Sequence, residues 1–258
     1  MSQLLEITGI KKLSDLYRFI KSICGLLKRR RSWGTFMKIY EESHFDSGFS
    51  RSYSQVAEDL VLNFYLQNEE SKTYVDVGCN DPNRFSNTRL LYERGWTGVN
   101  IDANSQFSSS YIRHRPKDAF VAALIGNGSK DLKYYFFEET ALNTTDKQLV
   151  EKHLNSGWKL ERTEIVPVVS LRSIINRYFP NGQLTLLNVD CEGAELDVLE
   201  SIDLENTKPK WILVEANNYS IETRDMKIPN YLESYGYKVV CSLPQSTLMR
   251  FSPRQVLV

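Results

Sequence analysis

Acidic and amide side chains recur at one kind of place in this chain: directly after short apolar, β-branched runs. Tyr74-Val75-Asp76-Val77 leads into Gly78-Cys79-Asn80-Asp81-Pro82, and Gly98-Val99-Asn100-Ile101 ends on Asp102-Ala103. Leu186-Leu187-Asn188-Val189 is followed by Asp190-Cys191-Glu192-Gly193-Ala194-Glu195, and Trp211-Ile212-Leu213-Val214 by Glu215-Ala216-Asn217-Asn218. If each run is a strand of one parallel sheet, these polar groups collect at its carboxyl edge, where open α/β sheets bind ligands. Carboxylates gathered there can take a proton from a hydroxyl, hold a cation through oxygen ligands, or hydrogen-bond a sugar.

The turn after the first run discriminates among ligands. A dinucleotide wants Gly-x-Gly-x-x-Gly, so that pyrophosphate can approach a helix N-terminus. Here only Gly78 is present, and Asn80-Asp81-Pro82 stands where the backbone would have to touch phosphate. An acid there repels pyrophosphate and suits a cationic ligand without phosphate. S-adenosylmethionine (SAM) meets that description, being a sulfonium with an ammonium and a carboxylate. The missing glycines argue against an NAD-dependent sugar oxidoreductase, and no Gly-Lys-Ser/Thr loop exists to hold ATP. Asp102 is placed to accept hydrogen bonds from both ribose hydroxyls, or to cap the following helix. Asp118, or the pair Ala122-Ala123, would flank the adenine.

Asp190, with Glu192 or Glu215 assisting, is the first choice to take a proton from a substrate. Asp190, Glu215 and Asn217 could instead coordinate Mg²⁺, or hold a sugar hydroxyl without it. Glu195 falls in the first turn of the next helix, where it equally suits the helix dipole. The histidines (44, 114 and 153) are not at strand ends. Only His153 is kept as a candidate, in a polar stretch over 138–163 that could fold across the sheet edge.

The elements that must carry these groups alternate. Ser52 and Gln55 have the spacing of a capping box that would start a helix running through Leu66. Strands are expected at 74–77, 98–101, 119–124, 164–169, 184–189 and 211–215. Helices are expected around 87–94, 106–113, 171–179, 194–201 and 229–235. Leu132–Phe137 reads as a further strand, and 237–242 with 247–251 as an antiparallel edge. This α/β pattern implies a mostly parallel sheet with helices on both faces.

Residues 1–50 read as a separate extension before a domain at 51–258. Leu13, Leu16, Tyr17, Ile20, Ile23 and Leu27 recur at helical spacing between basic residues, ahead of Lys28-Arg29-Arg30-Arg31. Such a basic amphipathic helix packs on its own domain or on a partner subunit of a homo-oligomer, or docks on an anionic membrane. Lys+Arg and Asp+Glu are both 32, so no net field draws the chain to nucleic acid. No apolar run approaches the roughly 20 residues of a membrane span, and the start lacks the sections of a signal peptide. Four scattered cysteines without a Cys-x-x-Cys pair argue against disulfides and structural zinc, and for a cytoplasmic setting. The sequons at Asn143 and Asn218 accordingly carry little weight.

Residues 53–59 (YSQVAED), 74–102 and 184–200 (LTLLNVDCEGAELDVLE), with 115–127 and 166–175 between them, resemble the signature blocks of FkbM-family methyltransferases. The resemblance spans roughly 50–220. It implies a Rossmann-like class I methyltransferase fold, with a mostly parallel seven-stranded sheet. It also implies SAM as cofactor and O-methylation of a sugar, glycan or related secondary metabolite. By the same resemblance Asp76, Gly78 and Asn80 sit at the methionine end of SAM and Gln55 near its amino-acid portion. Asp102 sits on the ribose, with Ala103 in place of the family's usual proline. Cys191 replaces a commoner valine. A scaffold that has lost catalysis is the remaining alternative, and the acids retained at every strand tip count against it.

Overall fold

The computed structural model describes residues 51–128, 130–216 and 226–252. The basic helix expected within 1–50, and Asn217, lie outside the described residues.

The most apolar runs become the middle of one sheet. Its strands are β1 (Thr73–Val77), β2 (Thr97–Asp102), β3 (Ala119–Ala122), β8 (Leu186–Val189), β9 (Trp211–Glu215), β10 (Tyr237–Ser242) and β11 (Ser246–Phe251). Their order is β10-β11-β9-β8-β1-β2-β3. β3, β2, β1, β8 and β9 pair in parallel, while β11 runs antiparallel between β9 and β10. The chain steps outward from β1 through β2 and β3, then returns to β1's other side at β8. Strand order therefore reverses at β1, and the crevice of an open α/β sheet opens there.

Among the described residues, seven helices accompany the strands: α1 (Glu58–Leu66), α2 (Arg89–Glu93), α3 (Ser108–His114), α4 (Lys147–Asn155), α5 (Leu171–Tyr178), α6 (Glu195–Glu200) and α7 (Lys227–Ser234). Val75, Val77, Leu187, Val189, Ile212 and Val214 pack with Ile174 and Ile175 of α5, Val198 and Leu199 of α6, and Leu232 of α7. Each such fully buried side chain contributes roughly 1.5–3 kcal/mol. Alternation along the strands puts a different chemistry on the opposite face. There Asp76, Asn100 and Asn188 stand side by side in register. Asp76 accepts from Thr88 Oγ1 and from Asn188 Nδ2, the latter at 2.7 Å. Beside them the fully buried Arg115 donates to Asp118, Ser86, Tyr74 and Thr88.

Three sequence expectations need correction. The capping box does not form, because Asp59 takes its partners: it accepts from Ser52 Oγ, Tyr53 N, Ser54 Oγ and Leu60 N. That carboxylate knots the segment, and α1 starts only at Glu58 after Ala57 in a left-handed conformation. The strand expected at 119–124 breaks at Ala123, whose N–H donates to Asp102 O. Beyond it β4 (Leu124–Ile125) leaves the main sheet to pair with β7 (Val168–Val169). The strand expected at 164–169 likewise splits, its first half belonging to β6 (Leu160–Val166), which pairs antiparallel with β5 (Leu132–Phe137). The stretch 138–163 carries a 3₁₀ turn (Thr140–Leu142) and α4, and does lie over the carboxyl edge. Among the described residues no helix is long and apolar enough to cross a membrane.

Candidate active site

The carboxyl ends of β1, β2 and β8, the turn after β3 and the 138–163 insertion border a cleft that opens to solvent. Gly78 fixes its floor. Its φ is +80°, and a Cβ built there would lie 1.7 Å from the carbonyl oxygen of Asp190. Asp190 N donates to Val77 O, so the β1 and β8 turns are stitched together where a side chain would separate them. The glycine is thus demanded by the protein's own backbone, ahead of any ligand.

On one side of this floor lies Asp102, its Oδ1 accepting from Asn104 N (2.7 Å) and its Oδ2 from Asn80 N (3.0 Å). Each oxygen keeps a second lone pair for a ligand hydroxyl. Burial pushes this carboxyl up to about 6 despite the two N–H donors. Ala103, Ala123, Leu124 and Tyr134 line the adjoining wall, a narrow apolar surface suited to a flat base. Gln55 and Asn80 line the cleft as well.

Three of the residues expected to hold the cofactor do not reach it. Asp118 precedes β3 and so sits at the amino edge, the wrong end of the sheet, where it pairs with Arg115 at 2.8 Å. Ala122 faces away, and its neighbour Ala123 lines the cleft. Asp76 points sideways into the Thr88–Asn188 network, where burial raises its carboxyl. Asp81, whose charge was read as repelling pyrophosphate, bends back to accept from Asn83 N and Arg84 N. The carboxyl groups facing the cleft are those of Asp102, Asp190 and Glu192 instead.

Those two acids form a cluster with Glu215, the three offering carboxylate oxygens within 4.8 Å of one another. Asp190 and Glu192 line the cleft, and Glu215 stands behind them. Like charges this close in a low dielectric cannot all be ionised. Burial first, then mutual repulsion, pushes Glu215 up to about 11, so it carries a proton at neutral pH. Burial, then repulsion from Glu195, brings Glu192 to about 7. Asp190 is also raised, burial again leading, while a hydrogen bond from Glu215 opposes the rise. Glu195 has a bracing task, its Oε1 accepting from Cys191 N and Gly193 N and so closing the turn that presents Asp190 and Glu192. His153 packs edge-on against Phe137.

Other residues enter unannounced by the sequence. Glu58 of α1 is buried close enough to raise Asp190 further, and Ser246 Oγ donates to it at 3.4 Å. The insertion contributes Thr140, Ala141, Asn143 and Thr145. Thr140 Oγ1 donates to Asn80 Oδ1 and Thr144 Oγ1 to Glu192 O, both at 2.9 Å. The one signal for Glu58 was its place beside Asp59 in the block 53–59; nothing in the polar stretch marked its threonines. Among the described residues, Ala57, Asn80, Phe85 and Glu192 are the non-glycines with positive φ. Three of them line the cleft. Backbone held this way costs of order 1–3 kcal/mol per residue and gathers at functional sites.

The sequence model of the methyltransferase FkbM domain matches residues 76–239. The chain belongs to the FkbM methyltransferase family. The FkbM domain runs from Asp76 in β1 into β10, taking in the strand tips of β1, β2, β8 and β9 and the whole insertion. Its seven-stranded, mostly parallel sheet is that of a Rossmann-like methyltransferase. No curated protein matches the sequence.

Proposed function

We propose that this chain transfers a methyl group from SAM to a hydroxyl of a sugar, glycan or related secondary metabolite. The observation that carries the reading is the half-buried Asp190–Glu192–Glu215 cluster beside a cleft that has no cradle for phosphate. Asp102 and the Ala103–Ala123 wall would hold the nucleoside of SAM, and Gln55, Gly78 and Asn80 its amino-acid end. The acidic floor fits a ligand bearing sulfonium and ammonium charges. When bound, SAM supplies an electrophilic methyl carbon. The protein's part is alignment of the acceptor oxygen and removal of its proton. Glu192, near 7, is matched to accept that proton at neutral pH. Protonated Glu215 donates to Asp190 and keeps that carboxylate oriented. The same three acids present the hard oxygen ligands that Mg²⁺ takes, and a cation held by them would acidify the acceptor hydroxyl. The free thiols of Cys79, Cys191 and Cys241 accord with a cytoplasmic setting.

Calorimetry with S-adenosylhomocysteine and with NAD tests the cofactor. Binding of the first without the second is expected, and the reverse would overturn the reading. Radiolabelled SAM incubated with glycan and lipid extracts, with and without EDTA, then tests acceptor class and metal need together.

A further inference from the structure

We propose that the ring of Phe85 is the platform on which the methyl acceptor lies, against the apolar C–H face of a ring whose edge carries hydroxyls. The inference rests on the methyltransferase reading above and names a residue that selects the acceptor.

Phe85 is 37% exposed and lines the cleft, and its φ of +56° is one that bulky side chains rarely adopt. Folding supplies no reason to hold a large apolar ring in solvent on strained backbone. The surrounding loop nevertheless enforces it. Asp81 accepts from Asn83 N and Arg84 N, while Ser86 N donates to Tyr53 O and Ser86 Oγ accepts from the buried Arg115. The ring is also backed. The Arg84 guanidinium lies 4.1 Å from its centroid and makes two hydrogen bonds to Glu139 of the insertion, at 3.1 and 2.6 Å. An aromatic ring fixed by its backbone and backed by an anchored cation is preorganised to meet a ligand. The same cleft offers neutral hydroxyl and amide groups from Asn80, Thr140 and Asn143. An aromatic face for C–H groups, with hydroxyls and amides for a polar rim, is the complement of a neutral sugar ring. The anionic floor of Asp190 and Glu192 disfavours acidic acceptors.

The test compares the full-length wild type with Phe85→Ala, Phe85→Gly and Phe85→Trp, each saturated with S-adenosylhomocysteine. The probes are methyl glycosides of neutral hexoses and 6-deoxyhexoses, titrated by NMR. At least one glycoside should bind the wild type, with ring-current shifts on the C–H protons of one face. Loss of the ring in the Ala and Gly variants should abolish those shifts and weaken binding by about tenfold, and Trp should retain them. Phe85→Gly should melt no lower than wild type, since glycine accepts the positive φ, so a loss of binding there is not unfolding. Three results would each overturn the platform: no glycoside binding to wild type, unchanged binding by Phe85→Ala, or an equal loss of S-adenosylhomocysteine affinity, which would put the ring on the cofactor. A wild type that binds no S-adenosylhomocysteine would instead sink the methyltransferase reading beneath it.

Discussion

Asp190 and Glu192 are exposed to the cleft by a turn that leaves almost no spare atoms. Gly78→Ala would drive a methyl group into the Asp190 carbonyl and add a strained φ. The loss expected in urea denaturation is about 3 kcal/mol or more, the range of overpacking plus backbone strain. Glu192→Gln should leave S-adenosylhomocysteine binding intact while lowering kcat by roughly 10²-fold or more, the usual contribution of a general base. In wild type the fall of kcat on acidification should centre near pH 7, where Glu192 takes up its proton. A pH–rate profile with its acid limb near pH 4 would assign the base elsewhere. These residues were visible as acids at strand tips. Their division of labour was not, because it depends on which carboxylate is shielded behind which.

At the scale of elements, the insertion behaves as part of the site, fastened by named side chains. Thr144 is buried, with its hydroxyl donating to Glu192 O and accepting from Asp146 N, so it holds the turn of Asp190 and Glu192 and leads into α4. Thr144→Val should cost about 2 kcal/mol in stability, that of two typical hydrogen bonds. The same change should lower kcat more than it raises KM for SAM, as steady-state kinetics will show. The strands and helices were legible from periodicity because each buries one face of a regular element. The insertion was not, since a polar stretch becomes ordered only through contacts such as Thr140–Asn80 that no local pattern encodes. The same limit misplaced the start of α1, where Asp59 outcompetes the expected cap.

Across the whole molecule, two clusters of charged side chains set stability in opposite ways. Arg115, Asp118, Asp76 and Tyr74 form a satisfied network beneath β1 and β2. Arg115→Met should destabilise by about 3–5 kcal/mol, because it leaves the buried Asp118 carboxylate without its counter-charge. The site cluster is the unsatisfied one. Glu192 and Glu215 have folded values raised above the ordinary 4.5, to about 7 and about 11. A raised carboxyl contributes stability fully below its unfolded value, and loses it as pH rises through the folded value. Tm without divalent ions should therefore fall between pH 5 and pH 8, and Glu192→Gln should flatten that slope. Mg²⁺ added after EDTA treatment should raise Tm at pH 8 and do little at pH 5, where the acids are protonated. No response to Mg²⁺ at either pH would remove the metal from the proposal.

The sequence by itself determined the α/β alternation, the acids at four strand tips and the absence of a phosphate cradle. Each of these is a local property, written in periodicity or in adjacent residue types. Only the tertiary structure decided which of those acids share a cleft. It sent Asp118 to the amino edge, turned Asp76 into a buried network and folded Asp81 back on its own loop. It also brought Glu58 beside Asp190 and Thr140 onto Asn80, partners far from them in sequence. Side-chain direction and strand polarity follow from how the sheet is wound and twisted, and that depends on the packing of all its strands together.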